Sequence, residues 1–165
     1  VLDFSNLEGI LAINEINYHS SDDFNTGDWV ELYNNTDELL DISNWIFKDE
    51  NDSHIFTFSE NTILSSGEYI VLCSDTSFFT SFFPNVNNFI GNLGFGFSGN
   101  GEQLRLFNSE YELVDFVEYD DSAPWPTQPD GNGPTLELID PINDNSIAEN
   151  WTFSNGNGSP GQSNN

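Results

Sequence analysis

Apolar residues occur along this chain in short runs broken by polar, turn-forming segments, and inside the runs they are spaced as in strands. Residues 10–18 are dense in β-branched and aromatic side chains. A polar stretch at 20–27 follows, and residues 29–34 alternate Trp29, Glu31 and Tyr33 with Val30, Leu32 and Asn34. Period two sends Val30 and Leu32 to one face, so the two runs and their loop read as a strand pair. Residues 39–47 read as a further strand pair or one bent strand, ended by the turn-forming KDENDS at 48–53, and residues 54–59 as another strand. A turn at Ser65-Ser66-Gly67 leads into YIVLC at 69–73, whose unbroken apolar run fits a central strand buried on both faces.

One segment has helical spacing. In DTSFFTSFF at 75–83, Phe78, Phe79, Phe82 and Phe83 share a helical stripe, Asp75 stands at the N-cap and Pro84 ends the run. The glycine-rich NLGFGFSGNGE at 92–102 meets neither the dinucleotide nor the P-loop spacing, has no Lys after it and opens no helix. It reads as loop and turn. Strands follow at 103–107, 113–119 and 135–139, and the polar NGNGSPGQSNN at 155–165 reads as a linker or frayed terminus. Short strands at intervals of about 8–15 residues with at most one short helix predict an all-β, antiparallel sandwich of immunoglobulin-like topology. A jelly roll is the alternative, because order in space is not written in the strand pattern. A length of 165 residues suits one domain with a substantial core. Residues 10–161 are expected to form it, with 1–9 as linker or expression-derived sequence and 162–165 as a tail.

Composition sharpens this picture. The hydrophobic share is only 36%, but 15 Phe, 5 Tyr and 4 Trp bring large areas per residue, so aromatic burial carries the core. Two cations, Lys48 and Arg105, face 28 Asp and Glu, for a formal net charge of −26. Such a surface repels phosphate backbones and anionic lipid, which argues against nucleic-acid binding and makes cations the natural partners. The same charge also serves solubility where salt screens self-repulsion. Disorder is confined to the ends, since the acidic residues are interleaved with alternating aromatic segments. Cys73, the single cysteine, lies inside the apolar 69–73 run and reads as a small buried hydrophobe rather than a reactive thiol. No run approaches the ~20 apolar residues of a membrane span. No secretory leader pattern opens the chain, and a mature domain excised from a larger polypeptide is the expectation.

Ten short motifs, taken in order, resemble a known family. They are INEI at Ile13, DWVELYN ending at Asn34, DISNW at Asp41, SSGEYIVL at Ser65 and GEQLRLFN at Gly101, then LVDFVEYDD at Leu113, APWP at Ala123, DGNGPTLEL at Asp130, NW at Asn150 and GSPG at Gly158. Together they resemble the lamin tail domain, the immunoglobulin-like module of nuclear lamins that also occurs in bacterial secreted proteins. The resemblance runs from Ile10 to about Gly161, with Thr135 where the bacterial pattern usually has Ser. It implies a non-enzymatic module appended to larger extracellular bacterial proteins, beside hydrolases or adhesive regions. With no heptad rod and no basic surface, filament assembly and DNA binding do not carry over.

Chemistry-bearing constellations are sparse. Acyl transfer needs a nucleophile, a base and an orienting group, and the only histidines, His19 in a loop and His54 at a strand start, stand in no nucleophile motif. Three His and Cys residues scattered along the chain also make a poor zinc set. Paired carboxylates serve glycosidases, but 28 acids make some close pair inevitable. Glu15 and Glu31, each an acid inside a strand rich in apolar residues, are expected to be structural, hydrogen-bonded or paired with Arg105. Calcium takes six to eight oxygens from Asp, Asn and backbone carbonyls. Loops at 49–53, at Asp120, Asp121 and 130–132, and at 140–145 qualify. The expected ligands are Asp130, Asp140, Asn143 and Asp144, holding Ca²⁺ that tacks the C-terminal loop onto the sandwich, with Asx turns as the plain alternative. Trp125 in APWPTQP either plugs one end of the sandwich or stacks on a sugar. The expected function is a non-catalytic structural or interaction module of a secreted or cell-surface bacterial protein, adjoining other domains and binding a protein or polysaccharide. The alternatives are a carbohydrate-binding module appended to a hydrolase and, last, a hydrolase with a perturbed carboxylate pair.

Overall fold

The computed structural model describes residues 9–164, and the linker reading of residues 1–8 lies outside them. In chain order the strands are β1 (Leu11–Asn17), β2 (Trp29–Asn34), β3 (Leu40–Asp41), β4 (Ile46–Lys48), β5 (Phe56–Thr57) and β6 (Ile63–Leu64). After β7 (Tyr69–Cys73) comes the helix α1 (Thr76–Phe82), then β8 (Phe89–Gly91), β9 (Glu102–Phe107), β10 (Leu113–Tyr119), β11 (Leu136–Leu138) and β12 (Trp151–Phe153). They form a six-stranded sheet in the order β12-β11-β1-β2-β7-β8, a four-stranded sheet β10-β9-β4-β5, and the small pair β3-β6. The all-β sandwich and the central place of β7 agree with the strand pattern.

Alternation explains the core. Val30 and Leu32 of β2, Ile70 and Leu72 of β7, and Leu136 and Leu138 of β11 all enter it. So do Leu104, Leu106, Val114 and Val117 from the facing sheet. In β1 a register shift between Ile13 and Glu15 makes Asn14 an extra residue. That bulge resets the alternation, so Leu11, Ile13 and Ile16 all face the core and Glu15 falls on the opposite face.

The outer face of the large sheet is covered too, which strand alternation alone does not foretell. On one half, α1 bridges β7 to the parallel strand β8 and buries Phe79 on Trp29, Val71 and Cys73. Asp75 caps α1 as expected, its carboxylate accepting from the Ser77 and Phe78 amides, and Phe78 is left exposed. Burial pushes the Cys73 thiol up to about 12, consistent with a packing role. The other half lies under the C-terminal segment. There the linker reading is corrected: Ser159 and Pro160 are buried, and Asn164 donates to the Leu138 carbonyl at 2.8 Å. Serine, glycine and asparagine look like linker in sequence because several of their partners, Asn14, Glu15 and Glu31, lie more than a hundred residues away.

Candidate functional site

The two most perturbed acids, Glu15 and Glu31, stand with Glu137 in a row across the outer face of the large sheet. Glu15 pairs with Glu31 of β2 on one side and Glu137 of β11 on the other, and all three are fully buried. Among the described residues no cation meets the carboxylates of Glu15 and Glu31; hydrogen-bond donors do. Glu15 accepts from the Thr135 hydroxyl at 2.5 Å and the Ser159 amide at 2.9 Å, and the Ser159 hydroxyl reaches Glu137 at 2.7 Å. Glu31 accepts from the Asn14 amide group at 3.0 Å and the Gly161 amide at 2.5 Å. Burial pushes Glu15 up to about 8, with Glu137 adding repulsion while the Thr135 and Ser159 donors pull the other way. Glu31 is raised well above the ordinary carboxylate value by burial first and the Glu15 charge second. Perturbed acids often mark catalysis, but here the C-terminal segment seals them off.

Arg105, expected to serve these acids, is engaged elsewhere. It donates to the Asp49 carbonyl and to Asp52 at 3.2 Å, where Lys48 also lies 2.7 Å from Asp52. Each histidine is held by an aspartate: His19 to Asp130 and His54 to Asp49, both through Nδ1 at 2.6 Å. Among the described residues neither pair has a serine, threonine or cysteine bonded to the other ring nitrogen, and Asn51 occupies that position of His54 at 3.3 Å.

The four residues expected to bind calcium fall in two places. Asp130 bonds His19 beyond the end of β1, whereas the loop of Asp140, Asn143 and Asp144 lies near its start, where Asn35 donates to the Pro141 carbonyl. The structure therefore does not bring Asp130 together with the other three. Among the described residues no three His, Cys, Asp or Glu side chains gather as a metal-holding group. Asp140 and Asp144 accept from amides two residues on, those of Ile142 and Ser146, which are Asx turns. The oxygens of Asp140, Asn143 and Asp144, in one loop, are of the hard type that suits Ca²⁺.

What fastens this loop is a residue the sequence reading passed over. Asn145 is buried and donates to Asp115 at 2.7 Å and to the Ile13 carbonyl at 3.2 Å, while the Trp151 indole donates to the Asn145 carbonyl. Asp115 of β10 also accepts from the Ile13 amide at 2.6 Å, at the β1 bulge, and so bonds one sheet to the other. Burial raises it to about 6. Asp115 and Glu137 carry the same signal as Glu31, an acid flanked by apolar residues inside a strand.

Trp125 is a plug rather than a platform. It is only 8% exposed and packs against Trp151 at 5.9 Å between ring centroids. Near it, beside β10, opens a cleft of about 610 Å³ lined by Glu50, Glu102, Glu118, Asp120 and Glu149. A second cleft of about 580 Å³ lies on the other side of the 144–146 segment, around Leu113 and Ile142.

The two sheets and their packing define an immunoglobulin-like sandwich. The profile of the lamin tail domain matches residues 6–121, and the chain belongs to the lamin tail domain family, a non-enzymatic fold family. The match stops before β11 and β12, which complete the large sheet, and before the C-terminal segment that covers its outer face. Among solved structures, a DUF4876 family protein from Bacteroides thetaiotaomicron VPI-5482 is similar in fold, with a TM-score of 0.54 and 12% identity over 91% of this chain and 69% of that one. A search of curated proteins gives no match.

Proposed function

We propose that this domain is a non-catalytic interaction module of a secreted or cell-surface bacterial protein. The observation that carries the reading is where the acids sit. The two most perturbed, Glu15 and Glu31, are sealed under the chain's own C-terminal segment, while the exposed ones form an acidic surface whose two cations are already paired with Asp52. Membership of the lamin tail family supports it, and so does the net charge of −26, which keeps the domain off nucleic acid. The carbohydrate-binding alternative is weakened by the burial of Trp125. Antibodies against the domain should label intact cells of the source organism or recover it from the medium. Labelling only after permeabilisation contradicts the reading. On a polysaccharide array the domain should bind nothing, and saturable binding there moves the reading to a sugar-binding module.

Calcium stabilisation is a second part of the proposal, carried by the loop of Asp140, Asn143 and Asp144. A ligand selective for the folded state raises its melting midpoint, by roughly 5–10 °C at a hundredfold excess over Kd for a domain of this size. Thermal melts with excess Ca²⁺ and with chelator should differ by that order, and coincident midpoints rule the ion out.

A further inference from the structure

Residues 155–164 carry no charged side chain, and Pro160 is the one apolar side chain among them. What holds them to the outer face of the large sheet is therefore polar. The Ser159 amide donates to Glu15 at 2.9 Å, the Ser159 hydroxyl to Glu137 at 2.7 Å and the Gly161 amide to Glu31 at 2.5 Å. Further along, Asn164 donates to the Leu138 and Asn14 carbonyls at 2.8 and 3.1 Å. The first three of these bonds all end on the glutamate row. Both sheets are complete without the segment, which follows the last strand. Its root has a joint in Gly156, which holds φ at +89° with nothing within 4 Å of its Cβ position. A segment with so few apolar contacts opens at lower cost than the core beneath it.

The row itself makes the attachment conditional. Glu31, Glu15 and Glu137 are register partners on β2, β1 and β11, a geometry that sets the Cβ atoms of neighbours about 4.5–5.5 Å apart. Among the described residues no cation meets Glu15 or Glu31, and neither the segment nor α1 contains a charged residue. The other titratable groups beside the row are the phenols of Tyr69 and Tyr33, whose rings lie 4.7 Å apart, and burial pushes Tyr69 up to about 12. Two like charges at that spacing, shut away from water, repel strongly. A proton on the pair removes the conflict, and so does lifting the segment, which lets water in. We propose that residues 155–164 are a proton-latched strap, closed while the Glu15–Glu31 pair holds a proton and lifted from the sheet when both carboxylates ionise, with the sandwich still folded beneath. Lifting bares a strip of three carboxylates across β2, β1 and β11. Burial pushes Glu15 up to about 8, so the closing proton is held below that pH and lost as pH rises through it. The strap thus opens on the alkaline side and closes again on acidification.

Carbon-detected NMR relaxation on the whole domain follows the strap without relying on exchangeable amide protons. At about pH 6.5 residues 156–161 should match β2 and β7, with order parameters near about 0.85, and at about pH 9 they should fall below about 0.6 while the two strands keep theirs. Returning the sample to about pH 6.5 should restore the order. A strap equally ordered at both pH values overturns the proposal. Loss of order in strap and strands together also overturns it, because the sandwich has then unfolded as a whole. Glu15→Gln with Glu31→Gln replaces both ionising groups by neutral amides of the same shape and should keep the strap ordered at about pH 9. A strap that still lifts in this variant answers to some other group and sinks the assignment to the pair. The pH series on the native sequence decides by itself if the double variant does not fold.

Discussion

Gly158→Ala is expected to unseat the C-terminal segment and destabilise the domain by several kcal/mol. Gly158 holds φ at +100°, and a Cβ there meets Glu15 Oε1 at 2.8 Å, Thr135 at 3.0 Å and the Trp29 ring at 3.1 Å. A side chain held in that backbone region costs about 1–3 kcal/mol, and overpacking a buried site typically adds about 1–3 more. Gly156 supplies the control. Its φ of +89° carries the conformational cost, yet nothing lies within 4 Å of its Cβ position. In urea unfolding, Gly156→Ala should lose only the smaller amount. Equal losses at the two glycines would mean the segment does not press on the glutamate row.

The second large effect is at Asp115. Its carboxylate accepts from the Ile13 amide across the sheets, from Asn145 in the closing loop, and from its neighbour Phe116. Asp115→Ala strands those donors in a buried site at about 1–3 kcal/mol each, so a loss of at least about 3 kcal/mol is expected. Asp115→Asn keeps one acceptor oxygen and should lose less. Hydrogen exchange locates the damage: the Ile13 amide and the Trp151 indole should lose protection together, since Asn145 joins them. Loss of the Ile13 amide alone would show that the loop is held by something else.

Much of the sandwich was legible because it rests on alternation. Val30 with Leu32 announce their inward face by period two, the unbroken run at 69–73 announces a strand buried on both faces, and Asp75 announces its helix by the capping rule. The β1 bulge was hidden, since one extra residue at Asn14 looks like any other strand position until its partner strand is known. β8 and β12 were missed for another reason. Each is three residues long and forms only by adding to a sheet whose neighbours come from distant sequence. The carboxylate row was half legible: Glu15 and Glu31 stood out as acids in apolar strands, but the role given to Arg105 assumed that a buried carboxylate needs a cation. The structure meets them with amide and hydroxyl donors from residues 135–161 instead. The calcium set mixed two ends of β1, because proximity of Asp130 to Asp140 in sequence says nothing about which loops meet.

The glutamate row and Asp115 thus belong to the architecture. The claim that the glutamate row is sealed beneath the C-terminal segment is tested most directly by stability against pH. Glu15 has a folded value of about 8 against an ordinary 4.5, so the folded state binds its proton more tightly than the unfolded chain. Its contribution is therefore complete below about pH 4.5 and is lost as pH rises toward 8. Asp115, at about 6, slopes the same way but finishes earlier. Urea unfolding of the whole domain between pH 6.5 and 8.5 should show stability falling with pH, and Glu15→Gln should flatten that fall. A curve already flat in the native sequence, or an unchanged slope in Glu15→Gln, would contradict the sealed row.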